Sequence, residues 1–386
     1  MSNHTGSVLV NNQSSNRIPS IDGLRAVSIG LVLVWHSGLR PGNVAPAFRP
    51  LVWVTMNGPL GVSIFFVISG FLITTLLLKE ADETGGISLR DFYVRRACRI
   101  LPACYAFLGT LLVLKGLGMV PISLKGWLSA VVFVRNYLVP VEGQDFHNAH
   151  CWSLSLEEQF YLLWPLGLIL LGRRRAIWLA AGLIAAAPLS RVITYFVLPN
   201  KRPDIIYMTH TRVDTLMFGC LAALLSDSDA FRGALRRAFA FRLPLLAVFW
   251  VMVVSPLLWE AFYGRYLFTV RYTLEGLGIV LVLLWVVERP KSLVGRLLNS
   301  RPLVHLGILS YSIYLWQQLF IFKSFKFTLL PLLLVAECSY FLIERPFLRL
   351  RKRFLHRGRT RTSYPLAADP MPALRPAGVL LDEAPA

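Results

Sequence analysis

Acidic charge is scarce in this sequence. Asp and Glu number 21 against 40 Lys and Arg, and all charged residues together make up only 16% of the 386. With 55% hydrophobic residues and a mean hydropathy of +0.57, the chain is too apolar for a soluble domain and reads as a polytopic membrane protein. The net charge of +19 does not imply nucleic acid, because the cations sit between apolar runs, where the positive-inside rule accounts for them. The five cysteines (Cys98, Cys104, Cys151, Cys220, Cys338) are odd in number and have no metal-ligand spacing, which argues against a disulfide framework and a metal site. No A-x-A cleavage site follows the first apolar run, so that run is expected to be a retained span. Internal repeats and a separate soluble domain are also missing.

Ten apolar segments are present, at about 24–39, 58–78, 100–119, 154–171, 176–198, 209–225, 243–259, 267–287, 303–322 and 326–344. Gly126 to Pro140, GWLSAVVFVRNYLVP, is short and is interrupted by Arg135 and Asn136, so it reads as re-entrant or interfacial. If it does not cross, Lys and Arg crowd onto one side: at 79–99, 173–175, 226–242, 288–302 and after 345. Both termini are then cytoplasmic. The expected fold is all-α, with about ten transmembrane helices plus that one short segment. Residues 1–17 form a cytoplasmic tail, 18–350 the membrane domain, and 351–386 a basic, then Pro/Ala-rich, disordered tail.

This topology sorts the ionisable residues into two layers. Asp22, Arg25, Arg95, Arg96, Arg99 and Glu344 fall near the inner surface. His36, Glu157, Glu158, Arg191, His210, Arg212, Asp214, Arg271 and Glu275 fall near the outer one. Charges so close to apolar spans must pair or line a wet cavity. Arg25 and His36 are eleven residues apart, close to three whole turns, so they share one helix face about 16 Å apart. That face either links the two aqueous sides or carries a snorkelling arginine and an interfacial histidine.

In Phe92 to Pro102, FYVRRACRILP, Arg96 and Arg99 lie three apart on one face. They suit a polyphosphate, or else they are a positive-inside flank. In Cys151 to Pro165, CWSLSLEEQFYLLWP, Ser153 or Ser155 can cap a helix with Glu157 and Glu158 in its first turns. The same carboxylates can instead orient or charge an acceptor site. Trp152, Tyr161 and Trp164 read as an interfacial aromatic belt rather than a sugar-stacking platform. Arg212 and Asp214, two apart, do not share a face and are each expected to pair with another helix.

In order and spacing these stretches resemble the acyltransferase 3 family of bacterial membrane-bound O-acyltransferases, from about Ile18 to Arg349. The resemblance rests on PSIDGLRAVSIGLVLVWH, FFVISGFLIT, FYVRRACRILP, CWSLSLEEQFYLLWP, TRVDTLMFG, YSIYLW and IERPF. The family's arginine–histidine motif falls on Arg25 and His36, its paired arginines on Arg96 and Arg99, and its acidic stretch on Glu157 and Glu158. In the family a histidine often follows YSIYLW; here Gln317 stands there. The C-terminal esterase-like domain of some relatives is not in this sequence.

The resemblance implies transfer of an acyl group, commonly acetyl, from acetyl-CoA or another acyl-CoA to a hydroxyl, with no metal. Acceptors in similar proteins include O-antigen, exopolysaccharide, peptidoglycan sugars and macrolides. The expected partners are the acyl-CoA, a hydroxyl-bearing glycan or natural product, and membrane lipids of the inner (plasma) membrane. Arg96 and Arg99, with Arg25 above them, are expected to bind the donor. His36 is the expected general base, and Glu157 or Glu158 its orienter or the acceptor's. An acyl-histidine intermediate remains open. The rival class is a glycolipid transporter or flippase, which also fits ten spans with charged midsections.

Overall fold

The computed structural model describes residues 18–138, 145–320 and 325–356, and among these no strand forms. The expected tails at 1–17 and beyond 356, and residues 139 and 140 of the short apolar segment, lie outside the described residues.

Local chemistry sets where the first helices start and stop. Helix α1, Pro19–His36, opens with proline in its first turn, where a missing N–H costs nothing. Helix α2, Gly58–Thr84, is capped by Asn57, whose side chain accepts from the Leu60 N–H at 3.2 Å. It stops at Gly85, left-handed at φ 77°. Helix α3, Leu89–Gly116, is capped by Ser88. Helix α4, Leu124–Val131, has eight residues, about 12 Å of rise, far short of a bilayer. Phe133, left-handed at φ 56°, then turns the chain, and Arg135 and Asn136 are buried in the turn that follows. The helix in this segment is therefore too short to cross a bilayer by itself.

Helix α5, Cys151–Val197, holds two of the expected spans in 47 residues. It breaks at Gly172 (φ 71°, ψ 169°). A methyl added at Gly167 would sit 3.6 Å from Leu179 Cδ2, although twelve residues of straight helix span about 18 Å. The chain therefore reverses at Gly172, and α5 is two antiparallel arms. Helices α6 (Thr209–Leu225), α7 (Leu243–Leu267, with a π turn at Trp250–Val254), α8 (Arg271–Glu288), α9 (Arg301–Phe320) and α10 (Phe325–Cys338) follow. A π segment, Ser339–Glu344, leads into α11, Arg345–His356, which carries helix past the expected boundary at 350. The apolar segments read from the sequence thus coincide largely with helix. Among the described residues, four helical stretches are by themselves long and apolar enough to cross a membrane: Gly58–Thr84, Leu89–Gly116, Phe146–Val197 and Leu243–Leu267. Large side chains such as Leu170, Trp178 and Leu342 are outward and exposed, as in a membrane protein.

Glycine sets the tightest crossings. A methyl at Gly307 on α9 would lie 1.9 Å from the Asp22 carbonyl oxygen on α1, and one at Gly219 on α6 would lie 2.1 Å from the Val67 oxygen on α2. Only glycine permits backbones this close, the small-residue packing that helices use in lipid. The α1–α9 contact fixes the walls of the cavity described next.

Candidate active site

A cavity of about 410 Å³ lies among α1, α2, α3, the first arm of α5 and α9. Helical phasing supplies its polar lining. Asp22 and Arg25 are one turn apart on α1, Arg96 and Arg99 one turn apart on α3, and Ser153, Glu157 and Tyr161 recur every fourth residue on α5. Tyr311 and Tyr314 come from α9 and Ser69 from α2.

Three guanidiniums therefore share one enclosed space. Arg25 and Arg99 are within Coulombic reach of each other, and both are within reach of Glu344. Arg96 packs over the Tyr161 ring at 5.6 Å and the Phe92 ring at 5.8 Å. The Nε atoms of Arg25 and Arg96 are buried and have no hydrogen-bond partner among the described residues. Donors left buried and unmet are costly, and cations gathered at one place call for an anion.

The structure corrects the two-layer expectation for Glu157. Its carboxylate lies within reach of Arg25 and Arg96, beside the Ser69 and Tyr161 hydroxyls, and not with an outer group of residues around His36. A loop position reveals the side from which a residue enters but not its final depth. Arg25 and Glu157 each lie six residues into their helices, about 9 Å from opposite ends, and long side chains close the rest. Glu158 is absent from the cavity wall. It lies within reach of Arg96, Cys104 and Tyr105 of α3, and its Oε1 is buried without a hydrogen-bond partner among the described residues.

His36 is not part of the cavity lining either. Its Nδ1 lies 3.1 Å from Gln317 Oε1 on α9, and Gln317 Nε2 donates to the Tyr314 carbonyl at 3.2 Å. Since Tyr314 lines the cavity, His36 stands one α9 turn beyond its end. The position where the family often has histidine is thus occupied by the amide that holds the imidazole. Sequence reasoning named Gln317 as a departure and gave it no role. Tyr161 was legible by its four-residue spacing from Glu157, but was assigned elsewhere.

The aromatic belt is also corrected. Tyr161 and Trp164 are buried, and Trp164 donates to Thr74 Oγ1 at 2.8 Å, while Trp152 stands beside Arg212 with Phe66. Several other charged residues are held between helices, within a helix, or over an aromatic ring. Arg191 on the second arm of α5 holds Asp214 on α6 at 2.9 Å, both fully buried. Arg271 holds Glu275 at 2.8 Å, and Arg212 lies 3.5 Å over the Tyr272 ring. His210 stacks on Tyr137 at 6.3 Å, away from the cavity. No group of three or more His, Cys, Asp or Glu able to hold a metal occurs among the described residues.

The acyltransferase domain model of the acyltransferase 3 family matches residues 18–343. The chain is similar to the O-acetyltransferase OatA of Staphylococcus aureus strains NCTC 8325, COL and MRSA252. Each is 27% identical over 368 residues, which is 86% of this chain and 57% of the relative. The chain therefore spans somewhat over half the length of these relatives. No solved structure matches it. A match over so much of the chain, on the segments that build the arginine cavity and carry His36, shows that the protein belongs to the acyltransferase 3 family.

Proposed function

We propose that the protein is an integral-membrane O-acyltransferase. It moves an acyl group, most simply acetyl, from cytoplasmic acyl-CoA to a hydroxyl of a cell-surface glycan such as O-antigen or exopolysaccharide. The observation that carries this reading is the cavity with three arginines, two with unmet Nε donors, ending one turn short of a histidine. The names of the relatives, O-acetyltransferases, support the reaction class.

In this mechanism the coenzyme A phosphates sit on Arg96 and Arg99 at the inner end, and the pantetheine arm passes Arg25. The distance from Arg25 to His36, about 16 Å along α1, suits an extended arm. His36 Nε2 takes the proton of the acceptor hydroxyl. The freed oxygen attacks the thioester carbonyl, the C–S bond breaks, and the departing thiolate takes the proton back from the imidazolium. The products are an ester and free coenzyme A. Tyr314 and Ser153, joined by a 2.5 Å hydrogen bond, form the wall nearest the reacting carbonyl.

Thiol release from acetyl-CoA by the purified protein in detergent tests the reading. Release is expected only with a hydroxyl acceptor, and His36→Ala is expected to abolish it while coenzyme A binding persists. Arg96→Ala and Arg99→Ala are expected to raise the donor KM about tenfold or more, with little change for the acceptor. Glycolipid movement across vesicles without thiol release would replace the enzyme by the transporter reading.

A further inference from the structure

Arg351 lies beyond the family match, on α11, and the mechanism above does not use it. The helix is not a detached tail. It packs along α3, and Leu348 contributes to the same cavity as Arg25, Arg96 and Arg99. Arg351 is three residues further, so it follows Leu348 on the same face.

Helix α3 presents its arginines in two directions. Arg96 turns to Tyr161, Phe92 and the carboxylate of Glu157. Arg95 and Arg99, four apart, share the neighbouring face, and both lie within electrostatic reach of Arg351. Arg95 is already held by Glu80. Arg99 has Glu344 within reach. Among the described residues the charged groups acting on Arg351 are Arg95 and Arg99, both of its own sign, with only the Cys98 thiol acting the other way, and its buried Nε has no hydrogen-bond partner there. Like charges that converge while one keeps an unmet donor mark a place where an anion belongs.

We infer that Arg351, with Arg99, takes the terminal 3′-phosphate of coenzyme A at the rim of the cavity. This rests on the acyl-CoA reading. With the thioester directed to His36, the 5′-diphosphate lies at Arg96 and Arg99, and the adenosine 3′-phosphate is the end of the donor furthest from the reaction. Arg351 is only partly buried and comes from the last described helix, which fits the outermost contact. A phosphomonoester carries more charge than either diphosphate group, and an arginine fork matches two of its oxygens. An anionic lipid head group offers the same chemistry to an arginine at a membrane surface, so the test separates the two sources.

The experiment measures equilibrium binding of coenzyme A and of 3′-dephospho-coenzyme A to the full-length protein. It is run in uncharged detergent, and again in nanodiscs with and without anionic phospholipid. Arg351→Ala is expected to weaken coenzyme A binding about tenfold or more and to leave 3′-dephospho-coenzyme A unaffected, in all three settings. Arg351→Lys is expected to restore part of the affinity, and an unchanged melting temperature guards against misfolding. Equal losses for both ligands, or no loss for coenzyme A, overturn the inference while leaving the acyl-CoA reading intact. A loss confined to nanodiscs with anionic lipid also overturns it and assigns Arg351 to a head group. If the wild-type protein binds neither nucleotide, the acyl-CoA reading itself falls.

Discussion

The Nδ1 of His36 and the Oε1 of Gln317 lie 3.1 Å apart, joining α1 to α9. The amide is oriented by its other end, because its Nε2 donates to the Tyr314 carbonyl at 3.2 Å. Oε1 must then accept, so His36 carries its proton on Nδ1 and leaves a lone pair on Nε2. A neutral partner fixes the tautomer without favouring the imidazolium. Gln317→Glu places a carboxylate there, stabilises the charged ring and raises its pKa. The acidic limb of the kcat profile is expected to move to higher pH by about one unit. Gln317→Leu is expected to lower kcat at least about tenfold with an unchanged donor KM, since only orientation is lost. An unmoved pH profile in Gln317→Glu would remove Gln317 from this role.

Glu157 and Glu158 are adjacent in sequence and have different surroundings. Glu157 lines the cavity within reach of Arg25 and Arg96, whereas Glu158 stands off the cavity wall and, of the cavity arginines, reaches Arg96 alone. Glu157→Gln makes the cavity more positive and is expected to tighten coenzyme A binding severalfold, as titration calorimetry would read. Glu158→Gln is expected to change that affinity less, because Glu158 lies off the cavity wall and reaches Arg96 alone. If Glu157→Gln instead moved the pH profile as Gln317→Glu should, Glu157 would be acting on His36 after all.

The Arg191–Asp214 pair serves stability. Arg191 also donates to the Thr269 carbonyl at 2.6 Å, and Thr273 Oγ1 donates to Asp214 at 2.6 Å, so the pair ties the second arm of α5 to α6 and α8. Asp214→Ala leaves a buried, uncompensated guanidinium and is expected to cost about 3–5 kcal/mol, seen as a lower melting temperature in detergent. Adding Arg191→Met is expected to recover part of that loss. A double variant no more stable than Asp214→Ala would show that the carbonyl contacts of Arg191 matter more than its charge.

The charge pattern predicts sidedness. Met119 is exposed between α3 and α4, and Arg174 is exposed beside the reversal at Gly172. Single cysteines at these positions, in a background lacking the native five, are expected to react differently in intact cells. An impermeant thiol reagent should label position 119 and not 174. Labelling at 174 alone would invert the topology and move the donor mouth away from coenzyme A.

The sequence by itself determined the helices and the inventory of chemical groups. Apolar run length placed the segments, glycine and capping residues set ends such as Gly85 and Asn57, and four-residue spacing put Ser153, Glu157 and Tyr161 on one face. These are local properties, fixed by geometry within a few turns. The tertiary structure decided which faces meet. It brought Glu157 to Arg25 and Arg96, turned Glu158 towards α3, buried Tyr161 and Trp164, and set Gln317 against His36. It also laid α11, only the second half of which falls in the expected tail, beside α3 so that Arg351 faces Arg95 and Arg99. Those outcomes depend on helix depth and rotation, which backbone contacts such as Gly307 on Asp22 fix between segments nearly 300 residues apart. A linear pattern carries the phase of each helix but not its rotation against a neighbour, so the residues were legible and their meeting was not.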